Sequence, residues 1–372
     1  MNHHKKIIFA ALTLLIILFS LFSFVVFSKA PTASSARAAV LYEPTNKEFL
    51  YSKSENTRLP MASTTKIMTA LVAIRECPDL FTEIKIDPRA VGIEGSSAYF
   101  KGGEVYTLYD LLHILMLRSA NDAACQIAYT VSGDIDAFAA LMNETAYALG
   151  LTDTNFTNPS GLDDNAHYTT AHDLAIISAE ALKYDVFSEI VSKRTYTATE
   201  LTTGKKSVYV NHNKLLSMYD GANGIKTGYT KRSGRSLVSS ATRDGVTLIA
   251  VTIDAPNDWQ DQKEMLDFGF SSLEYVNAVS AKELSFTLPV VNSPTEYITL
   301  KPMHDFGFVS KKGEKHELIY DIPSYLIAPV ELGERVGEIR VLSGGKTVGS
   351  VNLIAESFAE KNKTLFEKIT GK

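Results

Sequence analysis

PMASTTKIMTA, at positions 60–70, is the stretch from which the rest of the chain can be interpreted. From Ile67 onward apolar residues recur at helical spacing, so the pattern predicts a helix that begins near Ser63. A hydroxyl in the first turn of that helix lies at the positive end of the helix dipole. Lys66 follows three residues later and shares its face. The spacing suggests a serine nucleophile with a lysine as its proton acceptor.

The Ser-x-x-Lys spacing is weak evidence when it stands alone, because a chain this long contains it by chance roughly once or twice. A second copy, Ser343 to Lys346, lies in a glycine-rich stretch that predicts a turn. Taken alone, Ser63 is better explained as a helix cap beside a solvated lysine. Two further motifs make the catalytic interpretation of Ser63 the better one.

The composition describes a globular chain of 372 residues, 45% hydrophobic and 21% charged, which is long enough for two domains. A net charge of −5 gives no electrostatic basis for binding nucleic acid. The two cysteines, Cys77 and Cys125, allow one disulfide, and Cys125 fits a small core residue in a helical pattern. His167 and His172 have no further ligands nearby, so we predict no metal and no cofactor.

The N-terminus has the pattern of an export segment. Lys5 and Lys6 precede an uncharged run from Ile7 to Ser28 that is dense in Leu, Ile, Phe and Val. A cleaved signal peptide is favoured, and an uncleaved anchor stays open because the run is long enough to span a bilayer. We assign residues 1–35 to this segment. The remainder is expected outside the cytoplasm, either secreted or associated with the cell membrane.

Strand and helix patterns alternate through the rest of the chain. Period-two runs separated by turns predict strands at 38–42 and 48–51, and a hairpin of strands at 237–240 and 246–251. Capping signals and helical spacing predict helices that begin near 107, 136 and 170, and another after 259.

Two more polar motifs stand at informative positions. Ser119 and Asn121 occupy the bend between two apolar helices, where the same residue types also make an ordinary linker. Lys226, Thr227 and Gly228 lie in a strand pattern with glycines on both sides, which lets another backbone approach closely. The three motifs in this order form the signature set of penicillin-binding proteins and class A β-lactamases.

The resemblance extends beyond these motifs. Four segments carry it: RLPMASTTK at 58–66, LRSANDAA at 117–124, NPSGL at 158–162 and GIKTGYT at 224–230. Over roughly residues 36–275 the chain resembles the low-molecular-weight penicillin-binding proteins. More narrowly, it resembles the D-alanyl-D-alanine carboxypeptidases of the S11 serine peptidase family.

The resemblance implies an α/β (α+β) fold. Residues 36–275 would form a penicillin-binding/β-lactamase-like catalytic domain with a central antiparallel sheet flanked by helices. Short alternating strands and turns predict a separate C-terminal β-rich domain at 276–355, which resembles the domain that holds the catalytic domain away from the membrane in this family. Residues 356–372 fit an amphipathic helical tail on a membrane surface as well as they fit a packed or frayed end.

The resemblance also implies a mechanism. Ser63 would attack the carbonyl of a terminal D-Ala-D-Ala peptide and become an ester. Lys66 would take the proton, which requires a neutral amine, and burial together with the charge of Lys226 would lower its pKa. Ser119 and Asn121 would relay the proton to the leaving amine and hold the substrate amide.

The strand motif would supply the substrate-binding edge, formed by Lys226, Thr227, Gly228 and Tyr229. Lys226 and Thr227 would meet the free C-terminal carboxylate, and the N–H groups of Ser63 and Tyr229 would form the oxyanion hole. The expected partners are peptidoglycan stem peptides ending in D-Ala-D-Ala, and β-lactams that leave the serine acylated. A membrane surface is expected through the N-terminal segment or the C-terminal tail.

Two features depart from the family pattern. Tyr229 stands where histidine is frequent, at a position that acts through its backbone. The segment 257–261 lacks the arginine that some relatives place there for the substrate carboxylate. Carboxylate binding then rests on Lys226 and Thr227, with Arg232 or Arg235 as open candidates.

Three alternative functions share these motifs. A class A-like β-lactamase needs a deacylating glutamate in a Glu-x-x-x-Asn loop, and the loop from 155 to 170 offers only Asp163 and Asp164. A non-hydrolytic β-lactam receptor would be acylated without hydrolysing peptide. A D,D-endopeptidase needs the same residues and differs only in how the cleft ends.

Overall fold

The computed structural model describes residues 30–363, so residues 1–29 of the predicted export segment and the last nine residues fall outside the described part of the chain. The α-helices are α1 (Lys66–Glu76), α2 (Leu108–His113), α3 (Asn121–Ser132), α4 (Ile135–Ala148), α5 (Ala171–Leu182), α6 (Asp185–Ser192), α7 (Leu215–Met218) and α8 (Asp258–Ser272). Short 3₁₀ helices occupy Ala62–Thr65 and Pro88–Ala90, and a π-helical turn occupies Ile114–Arg118.

The strands divide between the two parts of the chain. The first part contains β1 (Ala38–Glu43), β2 (Glu48–Lys53), β3 (Glu83–Lys85), β4 (Val105–Thr107), β5 (Thr195–Thr199), β6 (Lys206–Val210), β7 (Ala222–Thr230), β8 (Gly234–Arg243) and β9 (Val246–Ile253). The second contains β10 (Leu273–Val279), β11 (Phe286–Val291), β12 (Tyr297–Pro302), β13 (Phe306–Lys311), β14 (His316–Asp321), β15 (Leu326–Ile327), β16 (Arg335–Ser343) and β17 (Lys346–Ala355).

A five-stranded antiparallel sheet forms the centre of the first part, in the order β2-β1-β9-β8-β7. Both predicted strand pairs are present. The β8–β9 hairpin turns at Asp244 and Gly245, which have φ of 46° and 82°, as a tight hairpin turn of this kind requires. The strand that carries the Lys-Thr-Gly motif, β7, lies at one edge of this sheet.

Helices cover both faces of the sheet. On one face α1 is buried along most of its length, with Ile67, Met68 and Leu71 in the main core. Each such side chain contributes about 1.5–3 kcal/mol on burial, which offsets the cost of burying Lys66 in the same helix. On the other face α8 packs Met265 and Leu266 against the strands. The central antiparallel sheet flanked by helices confirms the predicted fold class.

Two predicted helix starts have the expected caps. Thr107 accepts a hydrogen bond from the backbone of Asp110, whose carboxylate accepts from the backbone of Thr107, so the capping box is complete. Thr170 accepts from the backbone of Asp173 at the start of α5. These signals lie within four residues of sequence, so they can be recognised without knowledge of the fold.

Other elements differ from the expectations. Helix α6 and the β5–β6 hairpin have no counterpart among the predicted elements, since the hairpin is rich in Thr, Ser and Lys and mostly exposed. Residues 356–363 are not helical, and Ala359 instead bridges to Val330, so the helical alternative for the tail is wrong for this portion. The second Ser-x-x-Lys copy closes the hairpin of β16 and β17, where Ser343 pairs with Lys346.

The C-terminal part is all β, as predicted. Six strands form a sheet in the order β14-β16-β17-β12-β11-β15, and β10 pairs with β13. It has its own core, which includes Ile298, Leu300, Ile339, Val341 and Leu353. It contacts the first part at the β1–β2 turn, where Asn46 Nδ2 donates to the carbonyl of Val309 at 2.9 Å. Within residues 30–363, no helix has both the length and the apolar character needed to cross a bilayer.

Candidate active site

Ser63 lies on a braced turn immediately before α1. Ala62, which precedes it, has a left-handed backbone with φ of 48°. Thr64 Oγ1 donates to the carbonyl of Met61 at 2.7 Å. Thr65 Oγ1 donates to the carbonyl of Ala62 at 2.8 Å. A left-handed alanine costs about 1–2 kcal/mol, so these bonds and the surrounding packing must hold the serine in this position.

Strand β7 runs close to this turn because Gly228 has no side chain. A Cβ on Gly228 would lie 3.0 Å from the carbonyl oxygen of Met61 and 3.2 Å from the backbone nitrogen of Ser63. The close backbone approach predicted from the glycine-flanked strand is therefore present. It places the edge of the sheet beside the serine.

The amine of Lys66 meets three oxygen atoms at the base of the cleft. Nζ lies 3.1 Å from Ser63 Oγ and 2.7 Å from Asn121 Oδ1, and it also donates to the carbonyl of Ser160. A neutral amine has two N–H donors and one lone pair. Because the carbonyl and amide oxygens can only accept, the lone pair is left for the hydroxyl of Ser63.

The proton balance between two buried lysines favours that neutral form. Burial lowers the pKa of Lys66 well below its usual range, and the positive charge of Lys226 lowers it further. Burial also lowers the pKa of Lys226, to about 7. Both causes favour the neutral amine at Lys66, whereas a pKa of about 7 leaves the amine of Lys226 partly protonated near neutral pH. Burial and the charge of Lys226 are the two causes that the sequence predicts for the lowered pKa of Lys66.

The second motif lies where the π-helical turn gives way to α3. Ser119 has a left-handed backbone with φ of 63°, and it is buried beside the cleft. Two further hydrogen bonds fix Asn121: its Nδ2 donates to the carbonyl of Glu94 at 2.7 Å, and its backbone N–H donates to the carbonyl of Ser96 at 2.7 Å. These bonds orient the amide so that Oδ1 faces Lys66.

A cavity of about 310 Å³ joins the three motifs. From the predicted set it is lined by Ser63, Ser119, Thr227, Gly228 and Tyr229. Lys66 and Asn121 lie beneath the serine. Nζ of Lys226 donates to the carbonyl of Thr227 at 3.0 Å, and within residues 30–363 no carboxylate pairs with it.

The cavity has further lining residues that the motifs do not include: Ser96, His212, Lys214, Arg235, Asp258 and Trp259. Of the two arginines left open by the sequence, Arg235 lines the cavity. Its Nε and Nη2 donate to Asp258 Oδ1 at 3.1 and 2.9 Å, and its guanidinium carbon lies 5.7 Å from the ring centre of Trp259. We call these three residues the end wall of the cleft.

The loop that follows α4 contacts the turn that carries Ser63. Asn158 Oδ1 accepts from the backbone N–H groups of Ser160 and Gly161 at 3.1 and 2.8 Å, which fixes the carbonyl that meets Lys66. Gly161 has φ of 84°, and a Cβ there would lie 1.9 Å from the carbonyl oxygen of Ala62. The resemblance includes residues 158–162 but assigns them no role. Their contacts show that they fix the carbonyl that accepts from Lys66.

A buried histidine completes this support and was not anticipated. His167 Nδ1 accepts from the backbone N–H of Thr157 at 3.1 Å, so Nε2 carries the hydrogen and donates to Thr65 Oγ1 at 2.8 Å. Burial lowers the pKa of His167 to about 4, which keeps the ring neutral. The sequence gives no local signal for this contact, because the partners are about a hundred residues apart.

The two acidic residues of this loop do not provide a deacylating base at the serine. Asp163 and Asp164 are exposed, and Asp163 Oδ1 accepts from Thr230 Oγ1 at 2.8 Å. Between residues 30 and 363, no cluster of His, Cys, Asp and Glu side chains has the arrangement of a metal site. Both cysteines have free thiols.

Fold and cleft together have the character of the serine hydrolases in which a lysine replaces histidine beside the nucleophile. Family models identify the group more narrowly. Residues 25–257 match the model of the S11 peptidases, described as D-alanyl-D-alanine carboxypeptidase, and residues 274–361 match the C-terminal domain of penicillin-binding protein 5. The chain belongs to the S11 family, and it is a serine-type D-Ala-D-Ala carboxypeptidase.

Individual relatives agree with the family models. The chain is 32% identical over 345 residues to D-alanyl-D-alanine carboxypeptidase DacF of Bacillus subtilis, which covers 88% of this chain and 87% of that protein. It is 30% identical to D-alanyl-D-alanine carboxypeptidase DacC of Escherichia coli, in an alignment that covers 90% of this chain and 86% of that protein. Penicillin binding protein 5 from Haemophilus influenzae superposes with a TM-score of 0.65 at 27% identity, over 90% of this chain and 100% of that one.

Proposed function

We propose that Ser63 is the nucleophile of this carboxypeptidase and that Lys66 is its base. The observation that carries the proposal is the set of contacts around Lys66 Nζ, which leave the lone pair of a neutral amine for the hydroxyl of Ser63. The lowered pKa of Lys66 supplies the neutral form. The substrates are peptidoglycan stem peptides that end in D-Ala-D-Ala.

Acylation begins when Lys66 takes the hydroxyl proton as Ser63 Oγ bonds to the peptide carbonyl carbon. Backbone N–H groups of Ser63 and Tyr229 stabilise the oxyanion of the tetrahedral intermediate. The proton then passes to the leaving nitrogen, with Ser119 as the relay, and the C–N bond breaks to release D-alanine. Asn121 holds the substrate amide. Water hydrolyses the resulting ester in the same manner and restores the serine.

The end of the cleft recognises the free carboxylate of the substrate. Lys226, whose pKa burial lowers to about 7, is partly protonated near neutral pH and has no anionic partner among the described residues, and Thr227 lies beside it. Arg235 adds a second cation at the cavity wall, where Asp258 accepts from its Nε and Nη2 edge. This recognition explains how an exopeptidase requires a chain end.

The same site accounts for inhibition by β-lactams, whose ring carbonyl and carboxylate match those of the substrate. Ser63 would stay acylated because the leaving nitrogen of a β-lactam remains tethered to the acyl group and keeps water from the ester, and neither Asp163 nor Asp164 is placed to activate water there as the glutamate of a class A β-lactamase does. A class A-like β-lactamase is disfavoured by this geometry. It would turn over a chromogenic cephalosporin repeatedly, whereas the proposed enzyme forms a lasting acyl-enzyme that mass spectrometry detects.

The location of the enzyme follows from its substrate. Members of this family act on peptidoglycan outside the cytoplasm. We infer that the apolar N-terminal run, residues 7–28, directs export or anchors the chain, that residues 36–275 with the short segment packed before them are the catalytic domain, and that residues 276–355 hold it away from the membrane. The tail at 356–372 is the candidate for a C-terminal membrane contact.

The deciding experiment measures free D-alanine released from a soluble peptide that ends in D-Ala-D-Ala. Purified full-length chain is compared with Ser63→Ala and with Ser343→Ala, which removes the serine of the second Ser-x-x-Lys copy. Release by the parent and by Ser343→Ala, with none by Ser63→Ala, supports the assignment. Acylation by penicillin at Ser63 without release of D-alanine would instead favour the endopeptidase or the receptor.

A further inference from the structure

Residues 31–37 are packed onto the catalytic part of the chain, before the first strand begins. Ala33 and Ala36 are 0% and 3% exposed, in the same core cluster as Met265 and Leu266 of α8. The carbonyl of Ala33 accepts from Lys53 Nζ at 2.9 Å. We call residues 31–37 the N-terminal strap.

Ser35 of this strap caps the start of helix α8, which lies more than two hundred residues later in the sequence. The helix has no side-chain cap of its own at Asn257. Instead, the backbone N–H of Asn257 donates to Ser35 Oγ at 2.9 Å, and Ser35 Oγ donates to Asp261 Oδ2 at 2.6 Å. The backbone N–H of Ser35 also donates to Asp261, at 3.2 Å. The hydroxyl of Ser35 thus satisfies the backbone N–H of the N-cap residue and links it to a carboxylate in the first turn of the helix, a role that a local capping side chain usually fills.

The capped turn is the one that builds the end wall of the cleft. Asp258 and Trp259 are its next two residues, and both line the cavity. Asp258 holds the guanidinium of Arg235 through Nε and Nη2. The backbone N–H of Ala255 donates to the carbonyl of Arg235 at 2.8 Å, which fixes the strand to the same corner. A continuous set of contacts therefore joins Ser35 to Arg235.

We propose that Ser35 is a positioning residue for the end wall, and that the strap is retained from Ser35 onward in the exported enzyme as part of its catalytic fold. The proposal rests on the proposed function of the end wall in binding the substrate carboxylate. Ser35 itself does not line the cavity; it acts through Asp258 and Arg235.

Retention of the strap is a specific statement about processing. Signal peptidases cut after small-x-small patterns, and residues 33–38 offer Ala33-Ser34-Ser35, Ser34-Ser35-Ala36 and Ala36-Arg37-Ala38. A cut after any of these patterns would remove Ser35 from the start of α8. The proposal therefore predicts that none of the three is a site of processing in the active enzyme, and that any cut lies before Ser35.

The kinetic test compares Ser35→Ala with the conservative Ser35→Thr and with Ser34→Ala, a neighbour whose side chain is exposed. For Ser35→Ala we expect the KM for a D-Ala-D-Ala peptide to rise about threefold to tenfold, the range that loss of one helix cap produces. The kcat should change less than twofold, because the serine and lysine lie on another element. Ser35→Thr should restore the KM, and Ser34→Ala should leave it unchanged.

A second substitution separates positioning from general destabilisation. In an Arg235→Gln background, Ser35→Ala should raise the KM no further, since the group it positions is gone. A lower melting temperature of Ser35→Ala with an unchanged KM would overturn the proposal, as would additive effects of the two substitutions. The proposed function is judged separately by Ser63→Ala, whose loss of release does not depend on the strap.

The processing test does not depend on whether Ser35→Ala folds. The intact mass and N-terminal sequence of the active, exported protein are determined after expression of the full chain. An uncleaved chain, or one that begins at or before Ser35, supports the proposal. An active enzyme that begins at Ala36 or later would show that the strap is dispensable and would overturn it.

Discussion

Substitution of Gly161 by alanine should disrupt the active site without touching a predicted catalytic residue. The new Cβ would lie 1.9 Å from the carbonyl oxygen of Ala62 and 2.8 Å from Thr65 Oγ1. The left-handed backbone of Gly161, with φ of 84°, costs an alanine about 1–2 kcal/mol. Relief of the overlap costs a further 1–3 kcal/mol or so. The free energy of unfolding should therefore fall by about 2–5 kcal/mol.

Gly150 offers a matched control, since its φ is 78° and a Cβ there would meet nothing within 4 Å. Gly150→Ala should cost only the backbone part, about 1–2 kcal/mol, and leave activity intact. Gly161→Ala should in addition lower kcat/KM about tenfold to a hundredfold, because it displaces the carbonyl that precedes Ser63. Urea unfolding and D-alanine release measure both quantities. Equal destabilisation of the two variants with full activity in each would refute the argument.

Three further predictions follow from the charges and thiols. Because the pKa of Lys226 is lowered to about 7, the amine loses its charge above that pH, and the KM for a free-acid peptide should rise there. A C-terminally amidated peptide, which has no carboxylate, should show a high KM that does not vary with pH. His113 and His167 have pKa values lowered to about 4, below the unfolded value of 6.5. Their contribution to stability is therefore complete above pH 6.5 and is lost as the pH falls toward 4. The melting temperature of His167→Gln should fall less across that pH window than the melting temperature of the parent. Cys77 and Cys125 have free thiols, so a reducing agent should leave the melting temperature unchanged, and a shift on reduction would contradict that assignment.

The elements that the sequence predicts are those whose signals are local. The capping box at Thr107 and Asp110 and the hairpin turn at Asp244 and Gly245 each lie within a few residues. The first turn that presents Ser63 is of the same kind, because a serine and a lysine three apart share a helix face in any fold. Such features are fixed by backbone chemistry, so one sequence is enough to identify them.

The rest of the site depends on contacts between distant segments. Ser160 contributes only a backbone carbonyl to Lys66, which any residue could supply, so its identity carries no signal. His167 acts on Thr65 across about a hundred residues, and Asp258 acts on Arg235 across two strands and a turn. Composition and spacing do not record which loops meet. The packing of the helices against the sheet determines these neighbours.

In the proposed mechanism, the two buried lysines account for a substrate with a charged end. Among residues 30–363 the amine of Lys226 donates only to the carbonyl of Thr227, and a buried position of this kind is unfavourable for its protonated form. A carboxylate that enters the cleft supplies the missing partner and raises the pKa of Lys226, so the proton stays there. Lys66 keeps its lone pair, since burial, the first cause of its lowered pKa, is unchanged. Recognition of the chain end and activation of the serine are thus two consequences of one charge distribution.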